Sequence, residues 1–154
     1  MPADPEIADD APAFVRTAAN MMGKFTPHAV AIGFEVVAIA RAKAVGRIAY
    51  REDLIGDPET GVIAGGVIIA ALDQICGMAA MAALDELTPV ATLDLRIDYM
   101  RAATPGRTIT LSAHCYKLTR SIAFVRALAF EDEEGDPIAN ATSAFMLTAR
   151  PAQS

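Results

Sequence analysis

Asp73 is the residue of this chain that most needs a chemical explanation. It lies within residues 60–84, which are apolar almost throughout apart from Asp73 and Gln74. A carboxylate that leaves water needs a hydrogen-bonding partner, a shifted pKa or a chemical role. The structural alternative is a carboxylate capped by a neighbouring strand or facing a solvent gap. We therefore take Asp73 as the first candidate functional residue.

A glycine pair, Gly65 and Gly66, precedes Asp73 in the same run. At a helix start, their N–H groups have no partner within the helix, and the positive end of the helix dipole favours a carbonyl oxygen there. Such a pair can form an oxyanion hole, although close packing or a turn is the structural alternative. Asp73 follows Gly65 by about 12 Å at 1.5 Å per residue, so one chain cannot bring both groups to one carbon.

The surrounding elements follow from periodicity and turn residues. We predict a helix over 11–24 ending near Gly23, a hairpin over 31–50 turning at 41–43, a loop at 57–61, a long buried helix, and strands over 91–100, 108–117, 121–131 and 137–149. Strands that follow one another without intervening helices form antiparallel sheets. The prediction is an α+β fold in which a curved antiparallel sheet of about six strands wraps around one long central helix, with an N-terminal helix.

Composition narrows the possible functions. The chain has 154 residues, of which 53% are hydrophobic, so we expect one domain over 11–150, an acidic flexible tail over 1–10, and some surface covered by another subunit. A net charge of −6 argues against nucleic-acid binding. The two cysteines and two histidines are isolated in sequence, which indicates no metal site and plain buried thiols. The acidic N-terminus does not resemble a signal peptide, so we expect a cytoplasmic protein.

A membrane-spanning segment is the alternative interpretation of residues 61–84, which are long enough to cross a bilayer. A central aspartate costs about 2.5 to 3.5 kcal/mol on insertion scales, and Gln74 adds to that cost. No lysine or arginine flanks the segment. The sequence therefore favours a buried central helix and no membrane association.

Several motifs together resemble one family, the hotdog-fold acyl-CoA thioesterases of the phenylacetate-degradation (PaaI-like) group. The resemblance covers about residues 27–147 and rests on residues 61–66, Leu72-Asp73, 90–95 and 98–101. In that family a His-Gly-Gly triplet opens the central helix, and an acidic residue follows nine positions after the histidine. The spacing from Ala64 to Asp73 is the same.

The resemblance implies hydrolysis of an acyl-CoA or aryl-CoA thioester to the free acid and CoA, with no cofactor beyond that substrate. Asp73 would be the base or nucleophile, and the Gly65 N–H would bind the oxyanion. A two-fold homodimer with antiparallel central helices would place Gly65 of one chain opposite Asp73 of the other. We expect such a dimer, or a tetramer built from two of them.

Two positions depart from the family pattern. Ala64 replaces the histidine of the triplet, and Asp57 replaces an asparagine that usually precedes Pro-Glu-Thr-Gly; it could act as a second carboxylate. The alternative function is therefore a weakly active or non-catalytic acyl-CoA-binding hotdog protein. A hotdog hydratase is less favoured, because no histidine follows Asp73 within the helix.

The remaining site residues come from the resemblance. Thr92 lies where the family often has a serine or threonine that positions water or the acid; its alternative is an ordinary strand residue on the polar face. Ala64 and Gly66 would line the thioester site. Arg120-Ser121 and Arg101 could bind phosphates of CoA, and solvated loop arginines are the alternative.

Overall fold

The fold is built on a seven-stranded sheet that wraps around one long helix. A computed structural model describes residues 3–18, 21 and 24–148. The helices are α1 (Ala13–Ala18), α2 (Pro27–Ala31) and α3 (Gly65–Met81). The strands are β1 (Glu6–Ile7), β2 (Phe34–Ala40), β3 (Lys43–Ile48), β4 (Ile55–Asp57), β5 (Val62–Ile63), β6 (Val90–Tyr99), β7 (Ile109–Leu118), β8 (Ile122–Phe130) and β9 (Ala139–Leu147).

The large sheet has the strand order β1-β2-β3-β7-β8-β9-β6. The six strands from β2 to β6 in this order pair antiparallel with one another, whereas β1 pairs in parallel with β2. Helix α3 packs against β3, β6, β7, β8 and β9 on one face of this sheet. The predicted α+β architecture, with about six antiparallel strands around one central helix, is confirmed, and it is the hotdog arrangement that the resemblance implies.

Small side chains let α3 lie close to the sheet. Leu72, Ile75 and Met78 of the helix are almost fully buried. The positions of β8 and β9 that alternate toward the helix are mostly alanines, and these are buried: Ala123, Ala127, Ala129, Ala139 and Ala141. Bulky helix residues thus fill the space that small strand residues leave, which is the close packing typical of protein cores.

Helix α3 is shorter than the apolar run that predicted it. It spans 17 residues, and the chain turns after Met81. The Ala42 N–H donates to the Ala82 carbonyl at 2.9 Å, which ties this turn to the β2–β3 hairpin. Within the described ranges, no helix combines the length and the hydropathy needed to cross a bilayer.

The N-terminal region differs from the prediction. Part of the expected acidic tail over 1–10 is strand β1, whose Glu6 and Ile7 pair with β2. Ala11 is buried, so this segment packs onto the domain. Too few apolar residues mark so short an edge strand for periodicity to detect it. Helix α1 covers only part of the predicted 11–24, and the predicted end near Gly23 lies outside the described residues.

Helix α2 and the short strands β4 and β5 were not predicted. Helix α2 lies just before the predicted hairpin and overlaps it only at Ala31; Pro27 is in its first turn, a position that suits proline. The loop predicted at 57–61 connects β4 and β5, which pair as a small separate sheet. Gly61 closes this turn at a φ of 74°, and its carbonyl accepts a hydrogen bond from the Tyr50 hydroxyl at 2.9 Å. This small hairpin leads directly into α3.

Candidate active site

The first turn of α3 carries exposed backbone N–H groups. Ala64 is the N-cap residue, with φ −57° and ψ 134°, and its side chain forms no capping hydrogen bond. Its N–H donates to the Leu54 carbonyl at 2.9 Å, which fixes the helix start against the preceding segment. Gly65 and Gly66 are both exposed. Over the described ranges their N–H groups donate to no protein acceptor, so they are available to an oxygen of a ligand.

Tyr99 holds this helix start from the side of the sheet. Its hydroxyl donates to the Gly65 carbonyl at 2.9 Å. Burial raises the pKa of Tyr99 above its usual value, so the hydroxyl remains a donor at neutral pH. The sequence motif that ends β6 includes Tyr99, but nothing in the sequence indicates its contact with a residue 34 positions earlier.

Asp73 and Thr92 form the second half of the candidate site. The Thr92 hydroxyl donates to Oδ1 of Asp73 at 2.8 Å. Asp73 is partly exposed, so its second carboxylate oxygen can still meet solvent or a substrate. The structure therefore supports the prediction that places these two residues together, and the contact fixes one oxygen of the carboxylate while leaving the other for chemistry.

A β-bulge brings Thr92 to this position. Strict alternation along β6 would place Thr92 with Asp94 on the face away from the helix. The register shifts between these two residues, because Thr92 pairs with Phe145 and Asp94 pairs with Ala144, leaving Leu93 unpaired. The extra residue reverses the facing direction, so Thr92 shares the helix side with Leu95. The polar-face alternative for Thr92 is wrong.

Cys76 lies one turn beyond Asp73 and is fully buried. Burial is the main cause that raises the pKa of this thiol to about 12, and the charge of Asp73 acts in the same direction. Cys76 is therefore a neutral thiol at physiological pH and no nucleophile. This agrees with its interpretation as a plain buried residue.

The two halves of the site lie along one exposed strip. Ile69 is 44% exposed and lies four residues from both Gly65 and Asp73, so all three share a helix face. Among the described residues, the neighbouring strand β6 pairs with β9 alone and forms an edge of the sheet. Leu93 in its bulge is 50% exposed. An apolar helix face beside an unpaired strand edge is a surface that another protein chain could cover.

Asp57 is engaged in the turn before β5. Its carboxylate accepts hydrogen bonds from the Glu59 N–H at 3.0 Å and from the Thr60 hydroxyl at 2.7 Å. The bond from Thr60 is the main cause that lowers the pKa of Asp57. This carboxylate stabilises the turn that leads to α3, which is a structural role. Its part in catalysis stays a prediction.

Comparison with known families shows to which superfamily the chain belongs. A sequence profile described as the thioesterase superfamily matches residues 60–138, which include α3, β6 and both halves of the site. The chain belongs to the thioesterase superfamily. It is a thioester hydrolase with a hotdog fold. A search of curated proteins found no significant match.

Several solved structures are similar to this chain. A Pseudomonas aeruginosa protein is 37% identical, with a TM-score of 0.72, over 79% of this chain and 90% of that one. A mutant of the phenylacetic acid degradation protein PaaI from Thermus thermophilus is 25% identical, with a TM-score of 0.70, over 80% and 100%. A Streptococcus mutans protein solved with acetyl CoA shares the fold at 20% identity and a TM-score of 0.67, over 76% and 90%.

Arg101, a predicted phosphate ligand of this thioesterase, forms an internal ion-pair cluster instead. It contacts Glu131, whose side chain is 5% exposed, at 3.2 Å, and its Nε lies 3.2 Å from the Asp136 carboxylate. Burial alone would raise the pKa of Glu131, but hydrogen bonds from Thr104 and the charge of Arg101 lower it. The expectation that Arg101 is a solvated loop arginine is wrong. Because its guanidinium is held by two carboxylates, it is poorly available to a phosphate.

Arg120 and Ser121 lie in the exposed turn between β7 and β8. The Ser121 carbonyl accepts a hydrogen bond from the Leu147 N–H at 2.9 Å. Phe145 on β9 pairs with Ala123 on one side and with Thr92 on the other. The turn that precedes Ala123 therefore lies at the same end of the sheet as Thr92. Two strand spacings of about 4.8 Å separate these positions. Phosphate binding by Arg120 stays a prediction that this placement permits.

Removing the Thr92 hydroxyl should weaken the thioesterase without unfolding it. Thr92→Val keeps the shape and removes the donor to Asp73, so we expect kcat to fall roughly 10- to 100-fold, the value of a hydrogen bond to a charged group. Steady-state hydrolysis of a CoA ester measures this. Thr142→Val on the opposite sheet face is the matched control and should keep the wild-type rate; equal rates for both variants would contradict the role of Thr92.

Proposed function

We propose that the chain hydrolyses an acyl-CoA or aryl-CoA thioester to the free acid and CoA, at a site shared between two subunits. The contact of Thr92 with Asp73 carries this proposal, because it orients a carboxylate on an exposed helix face. The Streptococcus mutans structure supports the substrate class, since that protein of the same fold was solved with acetyl CoA.

The reaction needs a group that activates a nucleophile and donors that hold the developing charge. In the general-base route, Asp73 takes a proton from water while the water oxygen bonds to the thioester carbon. The carbonyl oxygen becomes an oxyanion that the Gly65 N–H stabilises. The carbon–sulfur bond then breaks, and the CoA thiolate leaves and takes up a proton. In the alternative route, the Asp73 carboxylate attacks the carbon itself and the carbon–sulfur bond breaks, so that the CoA thiolate leaves and takes up a proton. Water then hydrolyses the resulting anhydride to the free acid and regenerates Asp73.

A single subunit separates these two groups. Gly65 and Asp73 are eight residues apart on one helix, which is about 12 Å. In a two-fold dimer whose α3 helices lie side by side and antiparallel, each Gly65 faces the partner's Asp73, and two complete sites form. The exposed Ile69 and Leu93 support this contact, since each would be covered by such a partner. A tetramer of two such dimers remains part of the proposal.

Ala64 and the cysteines refine the proposal. With alanine at the N-cap, no side chain can donate to the thioester there, so the backbone N–H groups of Gly65 and Gly66 supply the donors. A cytoplasmic setting suits Cys76 and Cys115, which are both buried free thiols. These features need no cofactor beyond the CoA ester itself.

Turnover of a panel of acyl-CoA and aryl-CoA esters tests the proposal. We expect release of free CoA, followed with a thiol reagent, at a rate that saturates with at least one ester. Calorimetry with the same esters is the companion measurement. Hydrolysis of none of the panel, or tight binding without turnover, would contradict the proposal and favour a hotdog protein that only binds CoA esters.

A further inference from the structure

A cavity of about 450 Å³ lies on the sheet face opposite α3. Its position follows from β7, where the buried Leu111 and Ala113 face the helix and the alternate residues Ser112 and His114 face outward. We call it the outer-face cavity. Its polar lining is Lys43, Ser112, His114, Arg126, Glu134 and Asn140.

Three basic side chains lie in one row across this cavity. Lys43 on β3 pairs with His114 on β7, and His114 pairs with Arg126 on β8. Directly opposed residues lie about 4.5 to 5.5 Å apart, so the three side chains lie side by side on this face. Within the described ranges none of the three forms an ion pair, whereas six other arginines do. In a chain of net charge −6, a row of side chains without ion-pair partners among the described residues is a candidate site for an anion.

The surroundings hold the row in place and limit what can bind. The Arg126 guanidinium lies over the Tyr116 ring at 4.1 Å from its centre, which restricts its orientation. At the other end, Glu134 accepts a hydrogen bond from the Ser112 hydroxyl at 2.7 Å. That carboxylate opposes extended polyanions, so the cavity favours a compact anion at the basic row.

We propose that the outer-face cavity binds a phosphate monoester. Lys43 and Arg126 supply two positive charges for a dianion, and a guanidinium can bind two phosphate oxygens at once. The His114 imidazole and the Asn140 amide add further hydrogen-bond donors. Val45 and Leu128, which also line the cavity, offer apolar contacts to the organic part of the ligand.

Two kinds of molecule carry a phosphate monoester that this cavity could bind. One is a free phosphorylated metabolite, which makes the cavity a site separate from hydrolysis. The other is the 3′-phosphate of CoA, and only this source rests on the proposed function. Phosphate binding itself is independent of turnover, so the failure of one proposal leaves the other intact.

Calorimetric titration of the full chain with inorganic phosphate, CoA and dephospho-CoA tests the inference. We expect Lys43→Gln to weaken phosphate binding about tenfold, and Lys43→Gln with Arg126→Gln to weaken it further, because each loses a charge-assisted hydrogen bond. Arg96→Gln is the matched control. Arg96 lies on the same sheet face, opposite Thr142, but outside the cavity, and should leave the Kd unchanged. Melting temperatures check that each variant is folded.

The outcomes separate the possibilities. If the variants lose affinity for CoA but keep their affinity for dephospho-CoA, CoA is the source; if they lose affinity for inorganic phosphate alone, a free phosphomonoester is. Absence of phosphate binding to the wild type, or equal binding by Lys43→Gln and Arg96→Gln, would overturn the proposal. A changed oligomeric state in Lys43→Gln, without phosphate binding to the wild type, would instead assign this face to contacts between copies of the chain.

Discussion

Replacing Asp73 by asparagine is expected to lower kcat for CoA-ester hydrolysis by about 10²- to 10⁴-fold, the usual contribution of a positioned general base. The asparagine amide has the same size and can still accept the hydrogen bond from Thr92 through its oxygen. It can neither take a proton from water nor attack a thioester. The loss should therefore appear in kcat, with little change in KM or in the melting temperature.

Asp94→Asn is the control for this substitution. Asp94 lies on β6 beyond the bulge, on the sheet face that points away from the helix. The Asp94→Asn variant loses the same charge as Asp73→Asn, but on the sheet face that points away from α3. We expect the rate of this variant to stay within about twofold of wild type, as for most surface substitutions. Full activity of Asp73→Asn would show that another group activates the nucleophile.

The sequence alone predicts those helices and strands whose residues follow a long periodic pattern. The apolar run predicts α3, and the alternating residues predict β6, β7, β8 and β9 nearly at their observed bounds. Short elements escaped, because β1 has two residues and α2 has five, too few to establish a period. The antiparallel order followed from the absence of helices between consecutive strands.

The site was harder to predict, because its geometry depends on one inserted residue. The spacing along α3 located Gly65 and Asp73, but strict alternation would turn Thr92 away from Asp73. Only the register between β6 and β9 reveals the bulge at Leu93. A bulge adds no residue type that marks it in the sequence, so the family pattern indicated Thr92 where periodicity did not.

Contacts between residues far apart in sequence explain the other differences between the predicted and the observed site. The Arg101 guanidinium is chemically suited to bind phosphate. It is occupied instead by Glu131, which lies 30 positions later in the sequence. Tyr99 has no distinguishing neighbour in sequence, yet it fixes the carbonyl of Gly65. A single sequence gives the chemistry of a side chain, whereas its availability depends on which strand ends the fold brings together.

Gly65→Pro should lower kcat by roughly 10²- to 10³-fold, the cost of losing one oxyanion donor. Proline lacks the N–H but suits the first position of a helix. The preceding Ala64 has ψ 134°, which is the conformation that a residue before proline prefers. A Cβ at this position would lie 3.4 Å from the Tyr99 hydroxyl oxygen. Gly65→Ala makes the same contact but keeps the N–H, so it is the matched control and should retain most of the activity.

Mixing the two inactive variants distinguishes a shared site from one within a single chain. When Asp73→Asn and Gly65→Pro subunits are co-expressed, a mixed dimer has one site with both defects and one site with neither, if Asp73 works with the partner's Gly65. Random pairing makes half of the dimers mixed, so about a quarter of the wild-type activity should return. If both groups belong to one chain's site, every site carries a defect and no activity returns. Recovery would thus require that α3 of one subunit lies antiparallel to α3 of the other, with each carboxylate serving the thioester held by its partner.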